Sequence, residues 1–281
     1  MKKKYKILFI LLICTHYIFA NPRIVTIGGS VTEIVFALGI GKDVIAVDQS
    51  STIPDLATEL PQVGYIRAIS AEGVLSTNPT IIITTTDIGP PNAVSQLKDS
   101  GIDMEIFDSP KNYKGIINLV KDISKLLDLE KKGQEIVQRI TKSHDIIQRR
   151  KKNNKKNPNI AFFMDARNSG SLNAAGKDTR ANYLIELAGG INIFKDSFQR
   201  YQKISNENLL IMNPDIILIA TMSKNSTLES DIKNSEVYKE LKSVKENKVF
   251  SIDLGKNLTF GTHTVDVALE LLDLFYDDSN K

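Results

Sequence analysis

The sequence has little of the chemistry on which many enzymes and metal carriers depend: it contains one cysteine, three histidines and no tryptophan among 281 residues. The single cysteine, Cys14, excludes an intramolecular disulfide framework. So few histidines argue against a zinc or manganese site built from several imidazoles. The chain also lacks an HExxH sequence, a phosphate-binding P-loop and a nucleophile elbow. These absences argue against an enzyme and against a carrier of free metal ions.

The first twenty residues predict a secretory signal peptide. Residues 1–20 begin with a lysine-rich segment, continue with an apolar run from Ile7, and end in the small residue Ala20. The run falls short of the ~20 apolar residues that a membrane-spanning helix needs. We therefore expect cleavage after Ala20 and a mature protein in the periplasm. Acylation of Cys14 is the alternative, although the bulky Ile13 stands where a lipobox has a small residue.

The charge of the mature chain is close to zero. The whole sequence has 36 Lys and Arg against 33 Asp and Glu, but four of the lysines lie in the leader. Without them 32 basic residues face 33 acidic ones, which gives a net charge of −1. A strongly basic surface for nucleic acid is therefore not predicted.

A stretch of eighteen residues occurs twice in the chain. Residues 69–86 and 204–221 align without a gap, 135 residues apart, and nine of the eighteen positions are identical. In each copy a serine is a candidate helix N-cap, a glutamate falls in the first turn, and Asn-Pro separates the helix from a β-branched strand. Two copies so far apart predict two similar lobes with a cleft between them, not a solenoid.

Alternating strand and helix patterns extend the repeat into a two-lobe architecture. We expect an N-terminal lobe over residues 21–112 and a C-terminal lobe over residues 158–281. Residues 113–157 show a helical period without strand signals, which predicts two helices, the second from about Glu130 to Lys152. At ~1.5 Å per residue this helix is roughly 34 Å long. The prediction is an α/β fold of two parallel-sheet lobes joined by one long rigid helix.

Two glycines follow the first predicted strand. Gly28 and Gly29 come after the strand at 23–27, and Ser30 is the candidate N-cap of the next helix, with Glu33 in its first turn. The full GxGxxG spacing is absent, so we interpret the pair as a tight strand-to-helix turn. An enzyme that binds a nucleotide at these glycines is the alternative from another class.

Three segments give the chain a family resemblance: RIVTIGGSVTEIVFALG, VGYIRAISAEGVLSTNPTIII and Tyr201 to Pro214. Together with the two lobes and the leader, they resemble the cobalamin, siderophore and haem class of substrate-binding proteins, and within it the periplasmic haem-binding subgroup. The resemblance implies a monomer that performs no chemistry, captures haem as its transported ligand and delivers it to an ABC importer permease, a transmembrane dimer with ATPase subunits. A carrier of a ferric siderophore or cobalamin with the same fold stays open as the alternative.

The resemblance also implies roles for individual residues in the cleft. Tyr65 is expected to be the axial ligand of ferric haem iron, because phenolate suits a hard Lewis acid. Arg67 is its expected neighbour, since a cation favours the ionised phenol. Tyr201 is expected to stack on porphyrin from the facing lobe, and Arg167 to pair with a propionate. His263 stands where the family usually carries arginine; it is a candidate distal ligand or propionate partner, and a structural role is the alternative.

Three further expectations concern docking, the number of haems and the motion of the lobes. Glu72 and Glu207, at matching helix starts, resemble the paired glutamates with which this class docks onto permease arginines; their other role is to stabilise the helix N-termini. The loop from Asp165 to Gly170 has no histidine for a second haem, so a stack of two haems is not expected. One stiff helix between the lobes predicts a small closure on binding.

Overall fold

The computed structural model describes residues 22–154, 156–165, 172–222 and 225–276. The predicted leader with Cys14, and Arg167 in the second lobe, lie outside the described residues. Within the part of the chain that is described, no helix is both long enough and apolar enough to cross a membrane.

The N-terminal lobe is built on a four-stranded parallel sheet. Its elements in chain order are β1 (Ile24–Ile27), α1 (Gly29–Ala37), β2 (Val44–Val47), α2 (Asp55–Thr58), β3 (Gly64–Tyr65), β4 (Ala68–Ile69), α3 (Ala71–Leu75), β5 (Ile81–Thr85), α4 (Pro91–Asp99) and β6 (Asp103–Phe107). The strand order is β2-β1-β5-β6, and every neighbouring pair is parallel. Strands β3 and β4 form a separate antiparallel hairpin. The β-branched strands β1 and β5 lie in the centre, where both faces of a parallel sheet are covered.

Two helices connect the lobes, as predicted. They are α5 (Tyr113–Leu126) and α6 (Glu130–Asn153). The 24 residues of α6 span roughly 36 Å at ~1.5 Å per residue. The two helices pack closely at Gly133, where a Cβ atom would lie 2.2 Å from Ser124 Oγ. The missing side chain at Gly133 thus fixes how α6 leaves the first lobe.

The C-terminal lobe is built on a larger, mixed sheet. Its elements are β7 (Asn159–Asp165), β8 (Asn173–Ala175), α7 (Arg180–Leu187), β9 (Ile191–Asn192), β10 (Tyr201–Lys203), α8 (Asn206–Met212), β11 (Ile216–Thr221), α9 (Leu228–Lys233), α10 (Lys242–Lys245), β12 (Val249–Asp253), α11 (Leu254–Leu258) and α12 (Thr264–Tyr276). The strand order is β10-β8-β7-β11-β12, with β9 also paired to β7. Strand β8 is antiparallel to β7 and to β10. The second lobe therefore repeats the parallel centre of the first, and its antiparallel edge strands β8 and β10 were not predicted.

Both copies of the repeat fold as predicted. Ser70 Oγ and Ser205 Oγ each accept a hydrogen bond from the backbone N–H three residues on, at 3.2 and 3.3 Å. They cap α3 and α8. Asn78 and Asn213 then turn the chain with φ angles of 50° and 40°, a left-handed conformation that asparagine adopts more readily than most residues.

The first helix begins differently from the prediction. Helix α1 has Gly28 as its N-cap, with φ of 113°, and begins at Gly29. Ser30, predicted as the cap, lies inside the helix and is buried, as is Glu33. A Cβ atom at Gly29 would lie 3.0 Å from Thr259 Cγ2 of the second lobe. The glycine pair is a tight strand-to-helix turn that also lets the second lobe approach.

One hydrophobic cluster runs through both lobes and the connecting helices. It includes Val35 of α1, Ile116 of α5, Ile147 of α6, Leu184 of α7 and Leu271 of α12, all buried. Close-packed interiors resist small displacements of their side chains. The shared cluster therefore favours a fixed arrangement of the two lobes.

Candidate functional site

The two lobes meet beyond the carboxyl ends of their central strands, where open α/β sheets bind ligands. In the first lobe Asp87 follows β5 and Ser109 follows β6. In the second lobe Arg180 begins α7. Arg180 Nη2 donates hydrogen bonds to Asp87 Oδ2 at 3.2 Å and to Ser109 Oγ at 3.3 Å. Arg180 thus joins the lobes at the edge where a ligand is expected.

Arg180 is also fixed from its own lobe. Nη1 donates to the carbonyl oxygens of Leu258 and Thr259 at 3.0 and 3.2 Å, and the guanidinium carbon lies 5.4 Å from the centre of the Phe260 ring. Burial lowers the pKa of Arg180, and the Asp87 carboxylate opposes that change. An arginine keeps its charge at neutral pH even so. The site therefore has a permanent cation at its centre.

Tyr65 lies on the β3-β4 hairpin, whose backbone is held from both sides. Ile66 is buried between the exposed Tyr65 and Arg67. Its N–H donates to Asp48 Oδ2 at 3.2 Å, and its carbonyl accepts from Gly89 N at 2.9 Å. Ile66 and Arg67 form the turn between β3 and β4. With Ile66 buried in this turn, Tyr65, which is 46% exposed, and Arg67 are left open to solvent.

Asp48 fixes the backbone next to the β3-β4 hairpin. Its fully buried carboxylate accepts hydrogen bonds from Gly28 N at 2.8 Å, Ser51 Oγ at 2.7 Å, Ser50 N at 3.0 Å, Ser50 Oγ at 2.7 Å and Ile66 N at 3.2 Å. A buried charge is tolerated when its hydrogen bonds are complete. Asp48 therefore couples the glycine turn before α1 to the hairpin that carries Tyr65.

Three of the predicted residues act on Arg180. Beside burial and Asp87, the Arg67 cation lowers the pKa of Arg180, and the Tyr201 and Tyr65 hydroxyls raise it. Arg67 Nη2 also lies 3.9 Å from Asp87 Oδ1, a loose ion pair on an exposed side chain. Asp87 thus connects the predicted Arg67 with an arginine that was not predicted.

Tyr201 differs from Tyr65 in its surroundings. It lies on β10 and is half-buried, and its hydroxyl accepts a hydrogen bond from the Ala181 backbone N–H. Burial raises the pKa of Tyr201, although Arg180 opposes the change. Tyr201 therefore offers a neutral phenol and a ring face from the second lobe, whereas Tyr65 is accessible.

His263 lies in the interface between the lobes, with both ring nitrogens engaged. Nδ1 lies 2.6 Å from Glu33 Oε1 of α1, and Nε2 lies 2.9 Å from the Lys256 carbonyl oxygen. Thr262 Oγ1 also donates to Glu33 Oε1, at 2.6 Å. An iron ligand or a propionate partner needs a free ring nitrogen, so in this arrangement His263 contributes an interlobe contact and not the expected ligand contact.

Glu72 and Glu207 are exposed in the first turns of α3 and α8, as predicted. Hydrogen bonds from its own backbone N–H and from the Ser205 side chain lower the pKa of Glu207, so it stays ionised at neutral pH. Ile211, one turn further along α8, is 79% exposed. Across the described ranges no group of three or more His, Cys, Asp or Glu residues is arranged to hold a metal ion.

The sequence and structure match known binding proteins. Residues 24–254 match the family described as periplasmic binding protein. The uncharacterized ABC transporter substrate-binding lipoprotein YvrC of Bacillus subtilis (strain 168) is 24% identical over 261 residues, which cover 92% of this chain and 81% of YvrC. The vitamin B12-binding protein of Vibrio cholerae serotype O1 is 27% identical over 243 residues, covering 84% of this chain and 82% of that protein.

Among solved structures, the periplasmic heme-binding protein BhuT in complex with two hemes has a TM-score of 0.82 and 25% identity, covering 90% of this chain and 97% of BhuT. That likeness extends over both lobes and the helix that links them. Because the family match spans most of the chain, this protein belongs to the periplasmic binding protein family.

Proposed function

We propose that this protein binds haem at the junction of its lobes, with Tyr65 as axial ligand to ferric iron, and delivers it to an ABC importer. The observation that carries the proposal is an accessible tyrosine on a fixed hairpin, two residues before Arg67, whose guanidinium shares Asp87 with Arg180. Phenolate is a known haem ligand.

The opposite wall of the site is proposed to be Tyr201. A ring from the second lobe can stack on porphyrin while its neutral hydroxyl stays bonded to Ala181. Arg167 lies outside the described residues, and its pairing with a propionate stays a prediction. The expectation of a single haem also stays a prediction, because residues 166–170 of the loop on which it rests lie outside the described residues.

Cobalamin is the second candidate ligand, and the similarity to the vitamin B12-binding protein favours it. In that case Tyr65 and Tyr201 would serve as apolar walls and neither would bind iron. A ferric siderophore would be held in the same way. The fold is the same in all three cases, so the ligand must be decided at the site.

We propose that the protein acts outside the cytoplasm, as a monomer, and catalyses no reaction. The family match and the similarity to a substrate-binding lipoprotein support the location and a permease partner. Glu72 and Glu207 would dock on permease arginines, since both are exposed and one lies on each lobe. Ile211, one turn from Glu207 on α8, is also exposed, which supports docking at this face.

A ligand comparison tests the function. The chain from residue 21 onward is titrated with ferric haem by absorption, and with cyanocobalamin by equilibrium dialysis. The proposal expects haem to saturate near one equivalent and cobalamin to show no saturable binding. Saturable cobalamin binding, without a change in the haem absorption spectrum, would make cobalamin and not haem the ligand.

A further inference from the structure

Asp87 stands between two guanidinium groups, one from each lobe. Its Oδ2 accepts from Arg180 Nη2 at 3.2 Å, and its Oδ1 lies 3.9 Å from Arg67 Nη2. Ser109 Oγ donates to the same Oδ2 at 2.5 Å. Two cations thus share one carboxylate.

The three charged side chains are accessible to a ligand. The side chain of Arg67 is 68% exposed, that of Arg180 35% and that of Asp87 31%. The Arg67 contact is long and solvated, so it contributes little and breaks easily. Arg180 is held by Leu258 and Thr259 through Nη1, so its Nη2 would stay in place if Asp87 turned away.

We infer that Asp87 holds the place of a ligand carboxylate, and that a carboxylate-bearing tetrapyrrole binds by exchanging its own carboxylate for Asp87 on Arg67 and Arg180. This inference rests on the proposed function and adds the chemical class that the site selects. Carboxylates pair with guanidinium through charge-assisted hydrogen bonds. Ser109 keeps a hydrogen bond to Asp87 during the exchange, which avoids leaving its charge unpartnered.

The exchange separates the candidate ligands by chemistry. Haem carries two propionates, which can replace an aspartate on an arginine. The side chains around a corrin ring end mainly in neutral amides, which cannot compete with Asp87 for two guanidinium groups. The site as built therefore favours a dicarboxylate over a neutral macrocycle.

A purely structural role for these residues makes the opposite prediction. If Arg180 and Asp87 only tie the lobes together, removing the Asp87 charge lowers stability and affects every macrocycle alike. If Asp87 competes with the ligand, removing its charge strengthens the binding of carboxylate ligands alone. Selectivity between an acid and its ester therefore distinguishes the two roles.

The experiment uses metal-free protoporphyrin and its dimethyl ester, so that iron coordination by Tyr65 does not contribute. Dissociation constants are measured by porphyrin fluorescence for the mature protein, Asp87→Asn and Arg67→Gln. We expect Asp87→Asn to bind the diacid about tenfold more tightly and Arg67→Gln about tenfold more weakly. The ester should bind all three proteins equally. Asp122→Asn, an exposed change of the same charge on α5, is the matched control and should leave both ligands unchanged.

Equal effects on the diacid and the ester, or weaker diacid binding by Asp87→Asn, would overturn the inference, as would a wild type that binds no diacid. Thermal melting checks that each variant is folded. If Asp87→Asn does not fold, the exposed Arg67→Gln tests the inference by itself. It should lose affinity for the diacid and keep its affinity for the ester. Wild-type protein that binds ferric haem without acid-over-ester selectivity contradicts only the inference, whereas absence of haem binding contradicts the proposed function.

Discussion

Glu33 of the first lobe and His263 of the second are joined across the interface, with Glu33 Oε1 2.6 Å from His263 Nδ1. The same oxygen accepts from His263 N at 2.9 Å and from Thr262 Oγ1. Glu33 is 4% exposed, and its Oε2 atom is buried without a hydrogen-bond partner among the described residues. The Glu33 carboxylate therefore depends on Thr262 and His263 for its hydrogen bonds. Only one of its two oxygens makes this buried contact between the lobes.

This contact should make stability depend on pH. Burial alone lowers the His263 pKa, but the hydrogen bond and charge of Glu33, with the Lys256 carbonyl, outweigh it and raise the pKa above 6.5. The folded state then binds the His263 proton more tightly than the unfolded state. The added stability is fully present below about pH 6.5 and is lost as pH rises through the folded-state pKa.

Urea unfolding from about pH 5.5 to about pH 8.5 measures that dependence. Removing His263 leaves the buried Glu33 carboxylate without its partner. His263→Gln should therefore lower the unfolding free energy by about 3 kcal/mol near pH 5.5 and flatten the decline of that free energy with rising pH. His144→Gln is the control, because burial lowers the pKa of His144, so this variant should not remove the decline. If the unfolding free energy falls with pH equally steeply in His263→Gln and in the wild type, His263 is not the group responsible.

The lock also depends on the absence of a side chain at Gly261. A Cβ atom there would lie 1.9 Å from Glu33 Oε2 and 2.4 Å from Glu33 Cδ. We expect Gly261→Ala to displace Glu33 and lower the unfolding free energy by about 3 kcal/mol, measured by chemical denaturation. The control is Gly73→Ala, whose new Cβ would meet Ser70 Cβ at an ordinary 3.6 Å. Equal stability of the two variants would exclude a tight contact at Gly261.

The parts of the fold that could be predicted are those fixed by local sequence. The caps at Ser70 and Ser205, the Asn-Pro turns and the long helix follow from patterns within a few residues of each element. Tyr65 and Arg67 were identified through a family resemblance in one short string. The misplaced cap at Ser30 shows the limit of local patterns, because glycine is required there by the φ of 113° at Gly28 and by the Ser50 carbonyl oxygen, 2.7 Å from a Cβ atom at Gly29.

The parts that could not be predicted are contacts between distant segments. Asp87 and Arg180 are separated by 93 positions, and Glu33 and His263 by 230. Nothing near Arg180 in sequence marks it as the centre of the site. The sequence makes His263 a candidate cleft residue, but it does not show that Glu33 Oε1 lies against one of its ring nitrogens.

Docking can be separated from ligand capture. Glu72→Gln and Glu207→Gln should leave haem affinity unchanged, because both side chains are exposed on outer helices, and should together abolish stimulation of the importer ATPase in proteoliposomes. Each single change should raise the concentration of binding protein needed for half-maximal ATPase stimulation roughly tenfold. Glu236→Gln, at a side chain 86% exposed, is the control. Normal stimulation by the double variant would rule out docking through these residues.

The motion of the lobes should be small. The shared hydrophobic cluster, the Glu33 contact and helix α6 all oppose a hinge. Small-angle X-ray scattering of the mature protein with and without haem should therefore give radii of gyration that agree within about 1 Å. A clear contraction on haem binding would show that the interface opens and closes in spite of these contacts.

The most direct test of the account is the absorption spectrum of ferric haem bound to Tyr65→Phe. Phenylalanine keeps the ring and removes the only atom that can bind iron. The wild type should saturate near one equivalent with the charge-transfer band of phenolate-bound high-spin iron, and the variant should lose that band. Tyr276→Phe, whose hydroxyl bonds to the Gly189 carbonyl, should keep it. An unchanged band in Tyr65→Phe would contradict Tyr65 as the iron ligand, and with it the central claim.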